Sequence, residues 1–115
     1  MKAKKLYLST HRLAGRKYHD VDEVWEELKV GTPLRLVLDR DNRFDPQAVA
    51  VIYTRPEDEE EFLLGYVPRT ENTLLYNFLV QGWDNIFSAR ITKKDAEAHP
   101  ENQIEYVVRI NPCEA

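Results

Sequence analysis

Apolar and polar residues alternate in several short segments of this chain, as in strands that bury one face. In the clearest run, after Pro33, every second residue is leucine, whereas the run from Ala48 to Tyr53 is apolar on both faces, as expected for a central strand. The two runs predict an antiparallel hairpin connected by the polar stretch from Arg40 to Pro46. The residues predicted to share its buried face are Leu34, Leu36, Leu38, Ala48, Ala50 and Ile52.

The rest of the chain predicts further strands and two short helices. Strands are predicted over residues 5–13, 62–67, 85–92 and 103–110, with an exposed connection over residues 93–102. One helix is predicted from Asp20 or Asp22 to residue 28, and a second follows Pro68 with Thr70 or Asn72 as its cap. Glycines stand where each helix would stop, at positions 31 and 82. Six short strands with helices at two connections predict a mainly β fold, a small and partly closed barrel.

Length and composition agree with one folded domain over residues 1–115. The chain is 43% hydrophobic, has four glycines, and contains no low-complexity tract. Its apolar runs are much shorter than the ~18 residues of a membrane span, and its first residues lead into a strand rather than a signal peptide. The single cysteine, Cys113, cannot form an internal disulfide, which fits a reducing compartment and a cytoplasmic location.

The net charge of −4 conceals a separation of charges along the chain. Acidic residues concentrate in segments 20–27 and 57–61, so the remaining segments are basic. The basic residues could form a local positive surface or could simply be solvated strand edges, and charge alone does not choose between the two. They are Lys2, Lys4, Lys5, Arg12, Arg16, Lys17, Arg40, Arg43, Arg55 and Arg69.

Enzyme and metal chemistry have little support in the sequence. The three histidines lie in separate segments without a second ligand at metal spacing, and one cysteine cannot build a zinc site. The glycines are isolated and form no phosphate-binding loop. Ser9 and Ser88 lack the context of a nucleophile elbow. We therefore expect no catalytic residues, no metal and no cofactor, and the chain is predicted to be a binding module.

Three ordered segments resemble the motifs of the HIRAN domain. They are Ala14-Gly15-Arg16-Lys17-Tyr18, the turn Asn42-Arg43-Phe44-Asp45-Pro46, and Gly65-Tyr66-Val67-Pro68-Arg69. The resemblance covers residues 13–82, and strands over residues 85–110 would complete the barrel. HIRAN domains occur alone in bacteria and fused to helicase-like ATPases in eukaryotes. The resemblance implies an OB-like β-barrel with helical insertions, and a role in DNA repair through capture of single-stranded DNA 3′ ends.

The same resemblance implies a site at six residues, Lys17, Tyr18, Asn42, Arg43, Phe44 and Asp45. Tyr18 and Phe44 would stack on the terminal bases, Asp45 would accept a hydrogen bond from the 3′-hydroxyl, and Lys17 would contact phosphate. Asn42 precedes the aromatic residue as in the family. Two positions depart from the usual pattern, because Phe44 replaces a tyrosine and Arg43 replaces a proline. Any ATPase activity would belong to the fused helicase domains, so no enzyme is expected.

Each of these residues also has a purely structural interpretation. Phe44 could plug the mouth of the barrel, Tyr18 could pack on the first helix, and Asp45 could cap its own turn. Tyr66 and Arg69 are interpreted as structural residues. The two tryptophans, Trp25 and Trp83, are interpreted as anchors in the core or at its rim.

A second function class is a protein-interaction module that recruits a DNA-processing partner such as a helicase or nuclease without touching DNA. In this interpretation exposed strand edges carrying Tyr7, Tyr53 and Tyr106 would pair with another chain. The two classes differ in salt dependence, because binding to phosphates weakens steeply with salt and an apolar interface does not. The choice between DNA and RNA and the oligomeric state stay open at this point.

Overall fold

The computed structural model describes residues 4–16 and 19–113. Its six strands form one antiparallel sheet in the order β1-β6-β5-β2-β3-β4. The strands are β1 Leu6–Arg12, β2 Pro33–Leu38, β3 Val49–Thr54, β4 Glu61–Tyr66, β5 Phe87–Lys94 and β6 Ile104–Ile110. Helix α1 covers Val21–Val24 and continues as a 3-10 turn over Trp25–Glu27, helix α2 covers Thr73–Val80, and a further 3-10 turn covers Pro100–Asn102. The mainly β class with two short helices is therefore confirmed.

The two edge strands, β1 and β4, approach each other without forming a continuous ladder. Ala14, which follows β1, exchanges two backbone hydrogen bonds with Tyr66 at the end of β4, both 2.9 Å long. The approach depends on Gly65, because a Cβ atom at that position would overlap the carbonyl oxygen of Ala14. An isolated bridge thus connects the two edges without closing the sheet, and glycine in the third motif makes that bridge sterically feasible.

The hairpin of β2 and β3 forms as predicted, and Leu34, Ala48 and Ala50 are buried, but the six predicted residues do not share one face. Residues directly opposite each other in an antiparallel pair share a face, and Leu36 lies opposite Val51 while Leu38 lies opposite Val49. The leucines therefore share a face with Val49 and Val51, whereas Ile52 lies opposite Arg35 on the other face. The alternation could not decide this, because β3 is apolar on both faces.

The core combines residues from the sheet with apolar residues of both helical segments, Val21, Val24 and Leu28 from the first and Leu75 and Leu79 from the second. Helix α2 begins after Asn72, one of the two predicted caps, although the Asn72 side chain makes no capping hydrogen bond.

Trp25 packs against the core, whereas Trp83 is 60% exposed and is no core anchor. Strand β5 extends to Lys94, so the predicted exposed connection starts two residues later than expected.

Within the described ranges, none of the helices has the length and apolar character that would carry it through a bilayer. The same part of the chain contains no cluster of histidine, cysteine and carboxylate side chains suited to a metal ion.

Candidate nucleic-acid interface

The turn between β2 and β3 is held by its own side chains. Asn42 Oδ1 accepts hydrogen bonds from the backbone N–H groups of Phe44 and Asp45, at 2.8 and 2.9 Å. Asp45 Oδ1 accepts from the N–H group of Gln47 at 2.9 Å. Asparagine and aspartate commonly bond to nearby backbone in this way. Asn42 therefore acts as a positioning residue that fixes the backbone on which Phe44 and Asp45 stand.

Phe44 projects from this turn into solvent. Its side chain is 85% exposed, the highest value among the large hydrophobic residues with substantial exposure. The interpretation of Phe44 as a plug for the barrel mouth is therefore wrong. A phenyl ring held on a fixed backbone and exposed on its faces is suited to stacking against a flat aromatic ligand.

The arginines divide into two groups. Four are engaged with carboxylates: Arg12, Arg16, Arg35 and Arg55 form ion pairs with Glu101, Asp22, Glu61 and Glu27 respectively, and Arg55 also pairs with Asp58 and Glu60. The other five are exposed and form no ion pair with any described residue: Arg40 and Arg43 on either side of Asn42, Arg69 at the end of the third motif, Arg90 in β5 and Arg109 in β6. Arg40 and Arg43 therefore remain available to a ligand, on a turn that also carries the carboxylates of Asp39, Asp41 and Asp45.

Asp45 is fixed by two partners and is only partly exposed. Its Oδ2 atom accepts a hydrogen bond of 2.8 Å from Nδ2 of Asn72, and the same amide donates to the carbonyl oxygen of Gln47 at 2.8 Å. The bond to Gln47 N–H shows that Asp45 does cap its own turn. Each carboxylate oxygen can accept more than one hydrogen bond, so these partners leave acceptor capacity for a ligand.

Asn72 is a positioning residue that the sequence analysis assigned only to helix capping. It is 1% exposed, and its side-chain amide donates two hydrogen bonds to the turn rather than to α2. Its Oδ1 atom is buried and accepts no hydrogen bond from the described residues. The amide therefore fastens the start of α2 to the turn, and no local sequence pattern distinguishes this role from capping.

Tyr66 connects all three motifs. Its backbone bridges to Ala14 in the first motif, its hydroxyl donates to Asp39 Oδ2 at the base of the turn, and its ring meets the edge of His19 with centroids 5.4 Å apart. Asp39 Oδ2 also accepts a bond of 3.3 Å from Asn42. Burial raises the pKa of Tyr66, and the Asp39 carboxylate raises it further, so the phenol stays a donor. The sequence signal for this residue was its place in the third motif.

The structure brings four of the six predicted site residues, Asn42, Arg43, Phe44 and Asp45, together on one turn. Lys17 and Tyr18 lie outside the described residues, and their part in the site stays a prediction. Their neighbour Arg16 points inward. It is 8% exposed, pairs with Asp22 at 2.9 Å and lies over the ring of Trp25 at 5.2 Å.

The strand edges proposed for protein pairing are mostly not exposed. Tyr53 and Tyr106 are 5% and 0% exposed, and only Tyr7 among the three tyrosines lies on the surface. Burial raises the pKa of both buried phenols. The assignment of Tyr53 and Tyr106 to an exposed pairing edge is therefore wrong.

Ser9, His11 and Glu71 form a hydrogen-bonded chain with the order of a serine hydrolase triad. Ser9 Oγ lies 2.7 Å from His11 Nε2, and His11 Nδ1 lies 2.7 Å from Glu71 Oε1. His11 is buried against the ring of Tyr106. Ser9 lines neither the groove of about 570 Å³ beside Thr32, Tyr53 and Pro56 nor the groove of about 700 Å³ between β2 and β5. We assign these three hydrogen-bonded side chains a structural role, which is to connect β1 to the segment before α2.

Comparisons with known proteins agree with this arrangement. The sequence model of the HIRAN domain matches residues 7–110. None of the curated proteins matches the chain. A crystal structure of a protein from Lactobacillus plantarum superposes with a TM-score of 0.73 and 22% identity, covering 95% of this chain and 98% of that chain, which shows a shared fold. Since the family match spans nearly all of β1 to β6, the chain belongs to the HIRAN domain family, whose members generally bind nucleic acid as single-stranded DNA.

Proposed function

We propose that this chain captures the 3′ end of single-stranded DNA at the turn that carries Phe44 and Asp45. The observation that carries the proposal is the exposure of Phe44, 85%, on a backbone fixed by Asn42. A large apolar ring is normally buried, so an exposed ring on a braced turn is well suited to a ligand. Stacking on an aromatic ring accepts any base, which suits a site that reads an end rather than a sequence.

Charge supports the same ligand. Arg40 and Arg43 precede Phe44 in the turn and form no ion pair with any described residue, so both can approach phosphate groups. Part of the acidic charge in segment 57–61 is compensated, because Arg55 pairs with Asp58 and Glu60, and Arg35 pairs with Glu61. Attraction to a phosphate backbone depends on local charge within about 10 Å rather than on the total.

Asp45 is proposed to accept a hydrogen bond from the terminal 3′-hydroxyl. Two hydrogen bonds, from Gln47 and Asn72, hold its carboxylate in one orientation, so little ordering would be required when a hydroxyl arrives. A 3′-phosphate in the same place would face like charge. By the family resemblance, Lys17 contacts phosphate and Tyr18 supplies a second stacking ring in this proposal.

The test is a fluorescence anisotropy titration of one short oligonucleotide carrying either a 3′-hydroxyl or a 3′-phosphate, each at two salt concentrations. We expect tighter binding of the 3′-hydroxyl form and weaker binding of both forms at the higher salt. Equal affinity for the two ends would leave single-strand binding but reject recognition of the 3′ end. If neither form binds at low salt, a protein-interaction module is the better account.

A further inference from the structure

Strands β2 and β5 pair at one end and then separate. Their register contains only two pairs, Pro33 with Arg90 and Leu34 with Ala89. Beyond these pairs β2 continues along β3 to Leu38, while β5 continues along β6 from Phe87. The space between the separated strands, here named the fork, is a groove of about 700 Å³. Its lining includes Leu36, Leu38, Leu79, Asn85, Phe87 and Asn111.

Backbone groups of β2 face the fork without a partner. Asp39 N–H donates to the carbonyl oxygen of Ala48, and the β2–β3 register continues from that pair, so residues 35, 37 and 39 direct their backbone groups toward β3. The even-numbered residues of this segment direct their backbone groups to the opposite side, toward β5. There Ile91 N–H donates to the carbonyl oxygen of Thr32, and Leu34 pairs with Ala89. Leu36 and Leu38 are the next residues on that side, and no described residue pairs with them there.

Strand β5, on the opposite side of the fork, also has backbone groups without a partner among the described residues. Asn111 N–H donates to the carbonyl oxygen of Ile86, so Ser88 and Arg90, the next even-numbered residues, direct their backbone groups toward β6. Phe87 therefore directs its backbone groups toward β2. Continuing the β2–β5 register would place Phe87 opposite Leu36, yet the two do not pair. The fork thus presents backbone N–H and C=O groups of two strands that no described residue pairs, and its lining combines apolar side chains such as Leu79 and Phe87 with polar ones such as Asn85 and Asn111.

We propose that the fork binds an extended peptide segment of a partner protein, which adds to the β2 edge as a further strand. Unpaired N–H and C=O groups that alternate at strand spacing are complementary to another polypeptide backbone. A nucleic acid backbone does not match them, because its phosphates only accept hydrogen bonds. Such backbone pairing gives affinity, while the groove selects the partner's alternate side chains.

Two charged residues at the open end of the fork predict which charges the bound peptide carries. Arg40 follows β2 on one side of the opening and Asp84 precedes β5 on the other, and both line the groove. Both residues are exposed and form no ion pair with a described residue. A segment with an acidic residue on its β2 side and a basic residue on its β5 side would match them.

Amide hydrogen exchange of the unbound protein, followed by NMR, tests whether the fork is open. Val37 directs its amide to β3 and provides the internal control, whereas the amides of Leu36 and Leu38 face the fork. We expect Leu36 and Leu38 to exchange at least tenfold faster than Val37, because only Val37 is paired. Comparable protection at all three positions would show a closed fork and overturn the proposal.

Peptide binding tests the occupant. Heptapeptides selected from a random displayed library would be titrated in solution, and each would then be resynthesised with single N-methyl groups along its backbone. N-methylation removes one backbone donor without changing a side chain, so affinity should fall about fivefold to tenfold at alternate positions and less than twofold between them. A loss that lacks this alternation, or a selection that returns no binding peptide, would overturn the proposal. This readout requires no protein variant.

Two variants separate this inference from 3′-end capture. Phe44→Ala should weaken the oligonucleotide and leave the selected peptide unaffected. Leu38→Pro removes a fork-facing donor at the end of β2 and should weaken the peptide, with folding checked by circular dichroism. If instead the oligonucleotide protects the Leu36 and Leu38 amides from exchange, the fork belongs to the nucleic-acid interface and the peptide proposal fails.

Discussion

Tyr66 donates a 2.7 Å hydrogen bond to Asp39 Oδ2, and this contact joins the end of β4 to the base of the turn that carries Phe44. The backbone of Tyr66 is bridged to Ala14, and Asp39 also receives the amide of Asn42. Three segments that are separate in sequence therefore share one small network. We expect displacement of Tyr66 to loosen the backbone under Phe44, because Tyr66 is connected to it through Asp39 and Asn42.

Replacement of the Tyr66 hydroxyl should loosen the turn. Tyr66→Phe leaves the ring against His19 but removes the donor to a carboxylate, so we expect a loss of about 1–2 kcal/mol in the free energy of unfolding. Chemical denaturation measures this loss. Tyr7→Phe is the matched control, because among the described residues its hydroxyl bonds to Thr10 at the surface, and its removal should change stability by less than about 0.5 kcal/mol. Equal effects of the two variants would contradict the network.

A side chain at position 65 should break the bridge between Ala14 and Tyr66. Gly65→Ala places a methyl group against the carbonyl oxygen of Ala14, and relief of the overlap should cost about 1–3 kcal/mol. Amide exchange should then accelerate at Ala14 and Tyr66. Gly31→Ala is the comparison, since its φ of 96° is strained for alanine but the added methyl group meets no neighbour. Intact protection of the Ala14 amide in Gly65→Ala would disprove the steric role of this glycine.

The Asn72 amide should control how sharply the chain distinguishes DNA ends. Asn72→Ala removes the donor to Asp45 and to the carbonyl oxygen of Gln47, so unfolding should become easier by about 1–3 kcal/mol. The preference for a 3′-hydroxyl over a 3′-phosphate should also shrink, because Asp45 loses its orientation. Asn77→Ala, on the exposed face of α2, is the matched control and should change neither quantity. An unchanged end preference in a folded Asn72→Ala protein would exclude this positioning role.

The two halves of the site should respond differently to substitution. Phe44→Ala is expected to lose about 1–3 kcal/mol of binding for either end group, because base stacking does not depend on the end. Asp45→Ala should mainly remove the preference between ends. Anisotropy titrations measure both, and Trp83→Ala serves as the control, since Trp83 is also exposed but lies outside the turn. If Trp83→Ala weakened binding as much as Phe44→Ala, the assignment of the stacking ring would be wrong.

The contact of Glu27 with Arg55 should make the free energy of unfolding decrease at acid pH. Two hydrogen bonds, 2.8 and 2.9 Å, join the carboxylate to the guanidinium. They lower the pKa of Glu27, a lowering that the bond from Tyr53 reinforces and desolvation opposes. A carboxyl group with a lowered folded pKa contributes stability above its ordinary pKa of 4.5, and that contribution disappears as pH falls through the folded value.

Glu27→Gln tests this linkage by denaturation at neutral and acid pH. The parent protein should be the more stable at neutral pH, and the difference between the two proteins should decrease below pH 4.5. A difference that stays constant from neutral to acid pH would show that ionisation of Glu27 contributes nothing to folding.

The sequence by itself determined the local elements and the order of the motifs. Alternation located β2 and β3, the polar turn between them followed from Asn42 and Asp45, and Gly31 and Gly82 marked the ends of the helical segments with positive φ angles. These features depend on residues within a few positions of one another, where backbone preferences and side-chain spacing act directly. The motif order was sufficient to identify the family, which the match over residues 7–110 confirms.

The tertiary structure alone decided which residues meet across the chain. It selected Val49 and Val51 as the partners of the leucines in β2, where a strand apolar on both faces gave the sequence no means to choose. In the folded protein Arg16 also lies over the ring of Trp25, and the Asn72 amide bonds to Asp45 instead of capping its own helix. These outcomes depend on strand register, on packing and on hydrogen-bond partners that lie tens of residues away. No local pattern specifies such partners, because each is chosen only when the whole barrel packs.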